Sequence, residues 1–246
     1  MRQIGIISGL KSELRCLGFG LERPAHLFTF AAAGNPERAR AHALGWAAGG
    51  RVKALMSFGL CGGLDPDLAP GHVVVAHRIA LPEGGALEFD AGWARAIAAR
   101  IPGARVAPLL GARAVAATAT EKRALFAEHA VPALDMESRG VAEAAHEAGI
   151  PFVAVRAVAD PAGRTLPKAA ARAIDAQGRV RPFRVLLGLL VRPHDIRALM
   201  GLGADARRGY EALAAAGMRA LLPDLVPQHA PAAAGALAPA LVPQSI

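Results

Sequence analysis

Residues 134–140, "LDMESRG", set two carboxylates two positions apart in a chain otherwise thick with Ala, Gly, Leu and Val. Two further acids stand beside strand-like apolar runs: Glu13 in "SGLKSELRCL" and Asp160 at the end of "PFVAVRAVAD". Carboxyl groups in such places can exchange a proton with a ligand or accept its strongest hydrogen bonds. Each also has a plain structural reading. Asp135 falls where a helix N-cap is expected, and Glu137 in the first helical turn, where the helix dipole favours negative charge. Asp160 lies at the carboxyl end of a strand, the edge at which open α/β sheets meet ligands, although an Asp before Pro161 also begins a turn. Glu13 reads equally as an exposed helix position.

The segment "GLCGGLDPDLAPG", residues 59–71, follows a strand and supplies Gly59, Gly62 and Gly63, which would let the backbone approach a ligand closely. It has neither the GxGxxG spacing of a dinucleotide site nor the Gly-Lys-Ser/Thr of a P-loop, so a tight strand-to-loop turn is the alternative. Cys16 and Cys61 are the two cysteines; no CxxC or Cys/His spacing accompanies them, and a reduced, metal-free protein is expected.

The elements that must position these residues follow from periodicity. Strands are predicted near 3–8, 26–31, 53–59, 72–81, 114–119 and 151–159, and helices over 36–48, 91–100, 120–129, 136–148 and 166–174. Alternation of strands and helices predicts a three-layer αβα sandwich, and the helix-free connection between the third and fourth strands predicts a mixed central sheet. A catalytic domain is expected over 1–178. A basic helical extension follows over 179–222, as two helices punctuated by Pro182 and Pro193, and then an Ala/Pro-rich tail over 223–246 expected to be disordered.

Hydrophobic residues form 53% of the 246, yet no run reaches the roughly 18–20 apolar residues that span a bilayer, and no long apolar stretch with a cleavage site opens the chain. A cytoplasmic protein is expected. The net charge of +8 is spread along the chain, and aromatic residues are only 4%, which leaves few stacking platforms; nucleic acid is not an expected partner.

In combination, "GIISGLKSELRCL", "GLCGGLDPDLAPGHVVVA" and "LDMESRGVAEAAHEAGIPFVAVRAVAD" resemble, in order and spacing, the signatures of the purine nucleoside phosphorylase and nucleosidase superfamily, which includes the methylthioadenosine nucleosidases. With the arginine-rich tail included, the chain is most similar to the hopanoid-associated branch, linked to removal of adenine from adenosylhopane. The resemblance implies cleavage of a purine–ribose bond without metal or organic cofactor. Asp160 would be the acid facing purine N7, Glu137 the acceptor for the ribose diol with Met136 packed on the sugar, and Glu13 the group that orients or deprotonates the attacking water. Leu60, Cys61 and Gly62 would line the base and sugar pocket, with Cys61 an apolar liner and not a nucleophile. Relatives are dimers or larger assemblies, so a homo-oligomer is implied.

The sequence also departs from that pattern. Ser57 stands where hexameric phosphorylases carry a phosphate-holding arginine, which favours water, whereas the branch's phosphorylase designation favours phosphate as co-substrate; Arg38, Arg139 and Arg164 are the arginines that could replace it. Arg139 and Gly140 occupy positions where relatives have small residues, and Phe126 is an aromatic candidate beside the base or else a core residue. In "RPFRVLLGLLVR", residues 181–192, arginines take one helical side and apolar residues much of the rest, the pattern of a helix lying in a membrane interface or of an ordinary packing helix. Two alternatives remain: a soluble methylthioadenosine/adenosylhomocysteine-type nucleosidase, and a nucleoside-binding protein without turnover.

Overall fold

A computed structural model describes residues 3–19, 24–166 and 196–221. In chain order the elements are β1 (Ile4–Ser8), α1 (Lys11–Arg15), β2 (Leu27–Ala31), α2 (Pro36–Ala48), β3 (Ala54–Gly63), β4 (Val73–Ala76), β5 (Arg78–Ala80), β6 (Ala86–Glu88), α3 (Ala91–Ala98), β7 (Arg105–Val106), β8 (Leu109–Gly111), α4 (Ala119–His129), β9 (Ala133–Asp135), α5 (Ser138–Glu147), β10 (Phe152–Asp160) and α6 (Ile196–Ala220). They build the expected α/β fold around one mixed sheet of ten strands, ordered β6-β5-β8-β9-β3-β10-β4-β7, with β1 joining β3 to β2.

Period-two alternation sorts the core. Met56, Phe58, Val73, Val75, Val153 and Val155 face one side, where Trp93 and Ile97 of α3 and Leu213 and Ala216 of α6 cover them. Leu55, Val74, Ala76, Phe152 and Ala154 face the other, under Ala39 and Ala43 of α2 and Val141 and Ala145 of α5. Helices on both faces of a sheet whose central strands are apolar throughout give three layers.

The pairing of β3 creates the one discontinuity that matters for function. Along one edge β3 pairs with β10 from Leu55 to Gly62. Along the other, β1 runs parallel to it only as far as Ser57, and β9 runs antiparallel to it at Gly62 and Gly63. Among the described residues, no strand lies beside the intervening stretch, Phe58 to Cys61, on that edge.

Several expected elements differ in detail. β3 continues through the glycine segment, so Gly59, Gly62 and Gly63 lie within a strand and not in a turn. The predicted strand at 72–81 is two strands, β4 and β5, broken at His77. No strand forms at 114–119: residues 113–115 are exposed, and Thr118 is the N-cap of α4, in a reciprocal capping box with Glu121. The strand of that region is β8, just upstream. α5 begins at Ser138, because Asp135 completes β9. The predicted helix at 166–174 lies outside the described residues except for Leu166, as do residues 181–192 and the tail from 223. Of the basic extension, α6 is described; Leu213, Ala216 and Ala220 are buried in the sheet's core.

Gly140 is explained by packing of α5 on α2: a Cβ there would lie 2.1 Å from the carbonyl oxygen of Pro36 and 3.0 Å from the amide nitrogen of Arg40. Both are backbone atoms that no rotamer change can move. Gly140→Ala is therefore expected to destabilise the fold by about 1–3 kcal/mol despite the better helix propensity of alanine, a loss that denaturant unfolding measures directly.

Candidate active site

Alternation along β10 puts Arg156 on the face covered by α5, and the side chain is fully buried. Isolating a guanidinium from water is prohibitive unless it is paired and hydrogen-bonded. Arg156 Nη2 lies 2.5 Å from Asp135 Oδ2 and Nη1 lies 3.4 Å from Glu137 Oε2. Nη2 also donates to Ser57 Oγ at 2.5 Å and to Ser138 Oγ at 3.3 Å, and Nη1 to the Leu60 carbonyl at 3.3 Å. Asp135 in turn accepts from the amides of Glu137 and Ser138 at 3.2 and 2.9 Å. It thus satisfies the start of α5 as its expected cap role requires, but from the end of β9, and its larger role is as counter-ion to Arg156. Ser57, where a phosphate-binding arginine was the alternative, is a partner of this buried arginine.

Glu13 is buried, not on an exposed helix face. One carboxylate oxygen accepts from the Leu10 amide at 2.7 Å, closing the first turn of α1. The other accepts from the Leu60 amide at 2.8 Å, in the stretch of β3 that lacks a neighbouring strand. Glycine is required on both sides. A Cβ at Gly59 would lie 2.5 Å from Arg156 Nη1 and 2.9 Å from Glu13 Cδ, and one at Gly9 would lie 2.7 Å from Glu137 Oε1 and 3.2 Å from Glu13 Oε2. Glu13 and Glu137 are thereby brought to one point. Burial raises the proton affinity of Glu13 against the pull of Arg156 and its amide donors. Burial also pushes Glu137 up to about 8, with Arg156 opposing and Asp135 and Glu13 adding to the rise. One cation among three carboxyl groups leaves a proton on the cluster at neutral pH.

Asp160 stands apart from that cluster, at the end of β10, where its backbone is in register with Gly62. The stretch from Gly59 to Gly62 separates the two by roughly 10 Å of strand. Leu60 and Gly62 are half-buried and Cys61 is buried between them, its thiol pushed far up by burial, which suits a liner and not a nucleophile. Met136 is half-buried next to Glu137. Lys122 of α4, itself buried, places Nζ 2.7 Å from Asp160 Oδ2. Burial raises the Asp160 proton affinity, and Lys122 counters it. Asp160 Oδ1 is buried and has no hydrogen-bond partner among the described residues.

The remaining candidates have other work. Arg139 donates to both carboxylate oxygens of Glu83, at 2.8 and 2.6 Å, and to Glu143 at 2.8 Å; this pairing drives Glu83 down to about 2. Arg164 pairs with Asp205 of α6. Arg38 lies over the ring of Phe30, and Phe126 packs against the cluster of Leu64, Leu110, Val131 and Leu134. No group of His, Cys, Asp and Glu able to hold a metal occurs among the described residues. Arg156 and Lys122 escaped the sequence reading. A lone arginine inside "PFVAVRAVA" was a usable signal; Lys122, in a polar Ala-rich helix, gave none.

Two substitutions separate the roles in the cluster. Asp135→Asn breaks a fully buried ion pair and should destabilise by about 3–5 kcal/mol in denaturant unfolding. Glu137→Gln removes a carboxyl whose folded-state proton affinity is raised. The folded protein holds that proton where the unfolded chain has lost it, so wild-type stability falls as pH rises from 4.5 to about 8. Over that window Glu137→Gln should gain stability relative to wild type, and unfolding curves at several pH values check the slope.

A family model described as the Phosphorylase superfamily matches residues 33–190. No curated protein sequence matches significantly. Among solved structures, a futalosine hydrolase mutant from Helicobacter pylori strain 26695 superposes with a TM-score of 0.61 at 13% identity, covering 88% of this chain and 98% of that one. An S-adenosylhomocysteine nucleosidase from Streptococcus pyogenes, in complex with 5-methylthiotubericidin, gives 0.60 at 18% identity over 88% and 96%. A 5'-methylthioadenosine/S-adenosylhomocysteine nucleosidase from S. pneumoniae, with a transition-state inhibitor, gives 0.60 at 16% over 88% and 99%. At these identities the likeness to the solved structures is one of fold. The chain belongs to the phosphorylase superfamily.

Proposed function

We propose that the protein releases adenine from an adenine nucleoside by hydrolysis, and that the nucleoside is adenosylhopane. The observation that carries the reading is the division of the Asp160 carboxyl group: Oδ2 is held by Lys122, while Oδ1, buried and unpartnered among the described residues, is the oxygen that meets the base. As the C1'–N9 bond breaks, its electrons pass to the purine and Asp160 delivers a proton to N7. Burial, by raising the affinity of Asp160 for that proton, suits it to the task. About 10 Å along β3, Glu137 receives the ribose diol with Met136 against the sugar, and Glu13 takes a proton from the attacking water. Leu60, Cys61 and Gly62 form the wall between them.

Water is preferred over phosphate on charge. Arg156, the cation at the sugar end, is surrounded by Asp135, Glu137 and Glu13; Arg139 and Arg164 are committed elsewhere. A phosphate dianion would meet these carboxylates with Arg139 and Arg164 paired elsewhere and Arg38 lying over the ring of Phe30. The lipid-linked substrate rests on the resemblance to the hopanoid-associated branch and on the basic amphipathic pattern of residues 181–192, which also supports peripheral contact of a cytoplasmic homo-oligomer with the membrane face. Among the described residues no helix is long and apolar enough to cross a membrane. The solved nucleosidases of similar fold, named for methylthioadenosine and S-adenosylhomocysteine, support a second reading in which the substrate is a water-soluble thionucleoside.

Purified full-length protein supplied with adenosylhopane in detergent should release adenine and leave ribosylhopane, by mass, with and without phosphate. A phosphorylated sugar product overturns water as nucleophile, and preference for methylthioadenosine overturns the lipid substrate. Asp160→Asn and Glu137→Gln should each lower kcat/KM by about 10²–10⁴. Full-length protein should float with anionic liposomes, and replacing Arg181, Arg184 and Arg192 by Glu should abolish flotation; unchanged flotation refutes that contact.

A further inference from the structure

Lys122 is the one fully buried lysine among the described residues, and it sits on an otherwise polar surface helix. An ammonium group has three protons to donate. They go to Asp160 Oδ2 at 2.7 Å, the Pro161 carbonyl at 3.0 Å and the Arg164 carbonyl at 3.1 Å. All three acceptors belong to the end of β10 and the turn that leaves it. Two are neutral, so Asp160 supplies the counter-charge that makes burial of this lysine tolerable.

The other charged groups around Asp160 are balanced without it. Arg164, on the turn, pairs with Asp205, which α6 presents and which Arg208 also approaches at 3.3 Å. Cys61, on the adjacent β3, carries a neutral buried thiol. α4 therefore contributes the cation dedicated to Asp160. Its burial also leaves the ammonium no solvent to turn toward, so its direction is fixed by the same three bonds that satisfy it.

We propose that Lys122 is the positioning residue of the proton donor: its ammonium holds Oδ2 of Asp160 so that Oδ1 faces the leaving base, and its charge sets the pH at which Asp160 gives up its proton. This rests on the nucleosidase reading for the word donor. The geometry and the charge coupling exist without it. Removing the cation while keeping the stem, as in Lys122→Met, leaves a buried carboxyl with no charge of its own to face, which favours the protonated form. Lys122→Arg retains the charge but not the fit of a compact ammonium to two carbonyls and one carboxylate.

The test has two arms. In the ligand-free protein, carbon-13 NMR of aspartate-labelled chain, with Asp160→Asn to assign the signal, follows titration of the Asp160 carboxyl group. Lys122→Met should move its midpoint upward by about 1–3 pH units relative to wild type, and Lys122→Arg should stay near wild type. In turnover, the alkaline limb of kcat/KM should move upward with the NMR midpoint in Lys122→Met while the plateau falls. Thermal unfolding confirms that each variant is folded; if Lys122→Met is not, Lys122→Gln carries the same comparison. An unmoved midpoint in folded protein overturns the proposal and reduces Lys122 to an anchor for the turn. A moved midpoint without adenine release from any adenine nucleoside supports the coupling and instead removes the nucleosidase reading.

Discussion

The buried charge of Arg156 is the constraint on which the rest of the site depends. A guanidinium at the centre of a three-layer fold must be paired with opposite charge and hydrogen-bonded. The answers come from three elements: Ser57 and the Leu60 carbonyl on β3, Asp135 on β9, and Glu137 and Ser138 at the entry to α5. Satisfying one side chain thereby fixes the end of β9, the angle at which α5 leaves it and the placement of Glu137. Glu13 belongs to the same arrangement, since its carboxyl group fits only because Gly59 and Gly9 carry no Cβ. What reads as a functional cluster is also a folding requirement, and the two cannot be dissected by removing Arg156.

The second centre has opposite logic. Asp160 and Lys122 form a compact pair at the end of a strand, sheltered by a turn that the same lysine holds. One centre collects an excess of carboxyl groups around one cation and keeps a proton; the other matches one acid with one base. Both lie along the same length of β3, so one strand carries two carboxyl environments that differ in their cation, Arg156 for one and Lys122 for the other.

Much of this was legible in the sequence because it depends on short-range pattern. The αβ alternation, the limits of α2 and the ends of β1 and β10 follow from periodicity and from Pro36 and Asn35 at a helix start. Glu13, Glu137 and Asp160 were found through motifs in local order. What was not legible depends on long-range pairing. Strands of two or three residues such as β7 and β8 have no periodic signature and exist because neighbouring strands pair with them. Arg139 could be read either as a pocket residue or as a salt-bridging residue of the helix surface, and its partner Glu83, 56 positions away, was not legible. Lys122 is indistinguishable in sequence from the exposed Lys and Arg of any helix, because its burial is set by a turn that lies 39 residues further on.

The unpaired edge of β3 has a consequence for how this scaffold can diversify. From Phe58 to Cys61 the backbone is an internal sheet edge, with Glu13 standing where the next strand's acceptor would be. This segment tolerates little substitution, since a side chain at Gly59 would collide with Arg156 and Glu13. New specificities are thus expected to arise by lengthening or trimming the loops that flank β3 and by exchanging the helices laid across its ends.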